Sequence, residues 1–75
     1  MRAFSLVGVD GNAYSVMGYT AHALRRANLK DKENEMFKRA TSGDYDNLIC
    51  VCCEYIDMAN DALGLTEEYD EDEDE

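Results

Sequence analysis

Asp10-Gly11-Asn12-Ala13-Tyr14-Ser15-Val16-Met17-Gly18-Tyr19-Thr20 decides the fold, because the stretch admits two readings. In one, the Asp-Gly pair closes a β-hairpin, and Tyr14, Val16, Gly18 and Thr20 begin a return strand. In the other, Asn12 or Asp10 caps a helix running from about Ala13 to Asn28. The second reading places Ala13, Val16, Met17, Thr20, Ala21, Leu24 and Ala27 or Asn28 on one face at i, i+3, i+4, i+7 spacing. Ala21-His22-Ala23-Leu24-Arg25-Arg26-Ala27 is strongly helix-forming, and its arginines suit the negative end of the helix dipole. The helix is the preferred reading.

Working outward, residues 3–9 are rich in Phe, Leu and Val and alternate loosely, which predicts a short strand with Gly8 as a bulge or close approach. Asn28-Leu29-Lys30 connects to a second helix, capped by Asp31 and ending near Ala40. Its inner face is Met36, Phe37 and Ala40, and Glu35 and Arg39 are spaced as an i, i+4 ion pair. Gly43 is expected as a left-handed stop and Asp44 as the cap of a third helix, from Tyr45 to about Leu63. There Leu48, Cys52, Tyr55, Ala59 and Ala62 form a 4-3-4-3 stripe, and Gly64 ends the helix. The expected fold is mainly α (α+β): one short N-terminal strand, then three helices, in a single domain over 1–65. A lone strand has unpaired edges and the body is small, so strand pairing across a homodimer is expected.

The chain has 75 residues, 17 acidic and 7 basic, for a net charge of −10. Eight of the carboxylates (Glu67, Glu68, Asp70, Glu71, Asp72, Glu73, Asp74, Glu75) fall in the last ten residues. Residues 1–65 therefore carry only −2, and 66–75 read as a disordered acidic tail, solubilising or partner-binding. No stretch approaches the ~20 apolar residues of a membrane span, and the N-terminus is too short in apolar residues for a signal peptide. A soluble, cytoplasmic protein is expected. Its three cysteines, Cys50, Cys52 and Cys53, suit a reducing compartment and read as small buried side chains.

No constellation indicates an enzyme, a metal or a cofactor. His22 lacks a ligand partner or nucleophile, and the basic residues, only seven and forming no stripe, argue against direct nucleic-acid binding. Gly18 inside a helix costs ~1 kcal/mol relative to alanine. That cost points to a close neighbour there, or to a ligand with Tyr14 and Tyr19 as a stacking face. The turns Asp10-Gly11-Asn12 and Ser42-Gly43-Asp44 open helices whose N–H groups could hold a phosphate, with Arg25 and Arg26 completing an anion site. Against this, Asp and Asn at such positions usually satisfy those N–H groups themselves.

Gly8-Val9-Asp10-Gly11-Asn12-Ala13-Tyr14, Val16-Met17-Gly18 and Thr41-Ser42-Gly43-Asp44-Tyr45-Asp46-Asn47-Leu48 resemble a group of small phage- and prophage-encoded proteins. The group shares a "DGNA-aromatic…MG" start and an "SGDY…L" opening of the last helix. The resemblance covers about residues 4–62, supports the helix after Asn12 and implies a context, not a mechanism. By that analogy the expected function is non-enzymatic: a phage accessory protein, in the bacterial host cytoplasm, that occludes a defence protein. The alternatives are sequestration of a nucleotide immune signal at a subunit interface, and a structural or regulatory phage module. The candidate binding residues are Asp10, Gly11, Asn12, Tyr14, Gly18, Tyr19, Arg25, Arg26, Ser42, Gly43, Asp44, Tyr45 and the acidic tail.

Overall fold

A computed structural model describes residues 3–65, which form α1 (Ala13–Arg26), a single 3-10 turn (Lys30–Lys32), α2 (Glu33–Ala40) and α3 (Tyr45–Leu63). The deciding stretch is helical. Asn12 is extended and its side chain accepts from the Tyr14 N–H, at 2.8 Å. α1 ends in a Schellman motif, with Asn28 in the left-handed region (φ 64) and Leu29 N–H donating to the Leu24 carbonyl at 2.7 Å. Asparagine tolerates that conformation better than other non-glycine residues.

Asp31 does not cap α2. The chain enters α2 through the 3-10 turn, with Lys32 as the cap residue and no side-chain cap bond. Glu33 instead fixes the junction through two bonds from Arg25, at 2.7 and 3.0 Å. The last carbonyls of α2 are satisfied by the Thr41 and Ser42 hydroxyls and by the Asn47 amide. Gly43 is not left-handed, contrary to expectation. Its glycine is needed for space, since a Cβ there would lie 3.0 Å from Asn47 Cβ and Cγ. Asp44 caps α3 by accepting from Asn47 N–H at 3.0 Å, and Gly64 (φ 72) closes it.

Tyr45 meets Gly11 at the start of α1, while Asn60 meets Phe4, which packs on His22 towards the end of α1, so α1 and α3 run parallel. Asn47 reaches Arg39 while Tyr55 reaches Glu35, so α2 runs antiparallel to α3. The core fills the space among the three helices, with Leu24, Met36, Cys52, Tyr55 and Ala59 fully enclosed. Burial of one such large side chain contributes roughly 1.5–3 kcal/mol. Thr20, also buried, returns its hydroxyl to the Val16 carbonyl at 2.9 Å.

The expected strand over residues 3–9 is absent; among the described residues there is no strand. Leu6–Val9 closes a turn instead, with Val9 N–H on the Leu6 carbonyl at 3.0 Å and Gly8 at φ 86. A positive φ at the third residue is what a type II turn requires, so Gly8 is a turn glycine and not a bulge. The backbone groups that a neighbouring strand would satisfy are met by side chains. Asn60 accepts from Phe4 N–H (2.8 Å) and donates to the Phe4 carbonyl (2.9 Å), while Tyr19 Oη accepts from Ser5 N–H (2.9 Å). The segment is a strap across the α1–α3 seam, on the side away from α2. Without a strand, the edge-pairing argument for a dimer loses its premise. The acidic tail, and the disorder expected of it, lie outside the described residues.

Three packing expectations also change. Gly18 is exposed and nothing lies within 4 Å of a Cβ placed on it, so no close neighbour explains it. Ala62 is exposed, because the buried face of α3 drifts through Val51, Ile56 and Asn60 instead. Glu35 and Arg39 do not pair with each other; Arg39 bonds Glu54, and Tyr55 Oη donates to Glu35.

Candidate functional site

The parallel arrangement of α1 and α3 sets their N-terminal turns side by side. Tyr45 Oη donates to the Gly11 carbonyl at 2.6 Å, a contact across 34 residues that joins the two sequence motifs. Between them opens a cleft of about 350 Å³ lined by Ala13, Tyr14, Met17, Ala40, Thr41, Gly43, Asp44, Tyr45 and Leu48. Met17 and Leu48 are nearly buried, whereas Tyr14 is 81% exposed and Tyr45 46%. The cleft thus has an apolar floor and two aromatic walls. No lining residue is basic; Asp44 lines it, and Asp10 and Asp46 neighbour Gly11 and Tyr45 in sequence.

Of the candidate residues, Gly11, Tyr14, Gly43, Asp44 and Tyr45 converge here, with Asn12 and Ser42 holding the adjacent turns. Gly18 lies on the open face of α1. Tyr19 packs edge-on to Phe4 with ring centres 5.9 Å apart, so Tyr14 and Tyr19 share no stacking face. Arg25 and Arg26 sit at the other end of α1, about 16–18 Å along the axis from Tyr14. Arg25 is bound to Glu33, and its hydrogen bond holds the Glu33 carboxyl below its ordinary range. Asp44 and Asn12 occupy N–H groups at the two helix starts. The phosphate cradle of two turns and two arginines is therefore not assembled within one chain.

A second surface runs along α3. Asp46, Glu54, Asp57 and Asp61 are all exposed and fall on one outward stripe, and no Lys, Arg or His occurs from Tyr45 to Leu63. Glu54, Asp57 and Asp61, with Met58, Asn60 and Leu65, rim an open hollow of about 560 Å³. The helical phase that buries Leu48, Cys52 and Tyr55 sets all four carboxylates of the stripe outside, a signal already present in the sequence pattern. Carboxylates near a helix C-terminus oppose its dipole. The last turn of α3 has Asp61 and no basic residue to offset it.

Of the cysteines only Cys52 is buried, and burial pushes its thiol pKa up; Cys50 and Cys53 are exposed, against the expectation of buried small side chains. The phase of α3 turns both outward. His22 is exposed and edge-on to Phe4. Among the described residues no group of three His, Cys, Asp or Glu is arranged to hold a metal ion. No helix among them is long and apolar enough to cross a membrane. No family model, curated protein or solved structure matches the chain.

Proposed function

We propose that the protein is a non-enzymatic phage accessory protein that inhibits a bacterial immune system by docking on a basic surface of a defence protein and occluding it. The observation that carries this reading is the acidic stripe of α3. It sets Asp57 and Asp61 one turn apart, with Asp61 in the last turn of the helix, where local electrostatics alone would favour a cation. Departures from local consistency concentrate at functional surfaces. Eight further carboxylates follow in residues 66–75, so the acidity of the stripe continues along the sequence. The resemblance to phage-encoded proteins supplies the host context, the bacterial cytoplasm. Occlusion is preferred to nucleotide sequestration because the arginines and the two turns lie at opposite ends of α1. Nothing observed favours a structural or regulatory role.

The test is phage plating on hosts carrying individual defence systems, with the protein supplied in trans. Protection of phage is expected in at least one defended host. It should be lost in the double variant Asp57→Lys, Asp61→Lys, whose exposed positions leave the core intact. Full protection by that variant, or no protection in any defended host, would sink the proposal. The homodimer belongs to it on the argument of small core size alone, and native mass spectrometry of the purified chain reads the subunit number directly.

A further inference from the structure

We infer that the cleft between the α1 and α3 N-terminal turns is an anchor pocket for a cationic side chain, an arginine presented by a basic partner segment. The inference deepens the binding reading above and rests on it for the partner's charge. Its own ground is the geometry of the cleft. Tyr14 and Tyr45 wall it, and an aromatic face attracts a guanidinium through the ring quadrupole. Met17 and Leu48 form a floor suited to the methylenes of the same side chain.

The electrostatics set the sign of the ligand. Each helix N-terminus contributes roughly half a positive charge. Asp44 lines the cleft and Asp10 precedes Gly11 at its edge, two carboxylates against that, and no basic residue lines the space. An anion is therefore disfavoured where a cation is welcome. The cleft of about 350 Å³ is large enough for one long side chain and small for a larger ligand. Interface anchors are enriched in Tyr and Arg, and such residues are most effective in partly desolvated pockets.

The probe is N-acetyl-arginine methylamide, titrated into the ¹⁵N-labelled full chain and followed by NMR, with the neutral isostere N-acetyl-citrulline methylamide as control. Saturable shifts are expected at the Tyr14, Met17, Tyr45 and Leu48 amides with the arginine derivative and not with citrulline. Tyr14→Ala should weaken binding about twofold to fivefold, the range of an exposed cation–π contact. Tyr14→Phe should keep it. Asp44→Asn retains a good helix cap, so weaker binding there reports lost charge and not lost structure. The stripe variant Asp57→Lys, Asp61→Lys should leave the cleft titration unchanged, which separates failure of this inference from failure of the proposed function. Equal shifts with citrulline, or an unchanged affinity in Tyr14→Ala, would overturn it. So would concentration-dependent shifts of the same amides without probe, which would assign the cleft to a second copy of the chain.

Discussion

Replacing Asn60 by alanine tests whether side chains have taken the place of strand pairing. Asn60 is 4% exposed and holds both polar groups of the Phe4 backbone, at 2.8 and 2.9 Å. Each such bond contributes about 1 kcal/mol net, and truncation leaves the Phe4 N–H and carbonyl without that partner. The expected loss is about 2 kcal/mol. A body of this size changes its melting point by about 4–8 °C per kcal/mol, so Asn60→Ala should melt about 8–16 °C lower. Thermal circular dichroism reads that shift. Hydrogen exchange at the Phe4 and Ser5 amides reads its cause, because the strap should open before the helices unfold. Asn60→Asp keeps an acceptor for Phe4 N–H but loses the donor to its carbonyl, and should also be destabilised. A melting point within about 2 °C of wild type, with Phe4 still protected in Asn60→Ala, would refute the reasoning.

Other consequences are simpler to state. Gly18→Ala should stabilise by roughly 0.5–1 kcal/mol, since the new methyl meets nothing within 4 Å and α1 gains helix propensity; a lower melting point would reveal an unseen constraint at that position. Leu24→Ala, at a fully buried site, should cost about 3 kcal/mol in denaturant unfolding. Burial, then the hydrogen bond to Glu35, raise the Tyr55 pKa, so the native state keeps that proton to higher pH than the unfolded chain. The resulting stability is complete below about pH 10 and lost as pH rises through the native value, and Tyr55→Phe should flatten that alkaline limb in pH-dependent melts.

What the sequence revealed and what it hid divide along range of interaction. Asn12, Asp44 and Gly64 act within a few residues of themselves, and each does what its local pattern says. The apolar face of α1 was legible because a 3.6-residue period needs no knowledge of the partner. The strand failed because its backbone partner is a side chain 56 residues away, and an alternating apolar run does not distinguish a strand from a strap. The Glu35–Arg39 pair failed similarly, since α3 offers Tyr55 to one and Glu54 to the other. Both cleft motifs were visible, but their meeting depends on α1 and α3 being parallel and in register, which neither motif encodes. The arginines illustrate the converse: residues in one short helix were grouped with its N-terminus although the rise of the helix carries them far from it.

The net charge takes a different meaning once position is included. Six of the seven bases lie between Arg25 and Arg39, and none follows Arg39, while five carboxylates stand between Asp44 and Asp61 before the tail begins. A body with a net charge of only −2 is thus strongly polarised along its sequence, and the acidity divides into two physically different parts. Those on α3 have a fixed spacing, with about 6 Å of rise between Asp57 and Asp61. The eight in residues 66–75 add charge that acts at a distance within the Debye length, about 8 Å at physiological salt. If the protein occludes a basic partner, the two parts should separate kinetically. Removing 66–75 should lower the association rate and flatten its salt dependence, because steering scales with total charge. Reversing Asp57 and Asp61 should mainly raise the dissociation rate, because docked contacts govern residence. Surface plasmon resonance on the defence protein identified by plating measures both rates. Truncation that raises the dissociation rate while leaving association untouched would mean that the tail docks and the helix only steers, the reverse of the roles assigned to them above.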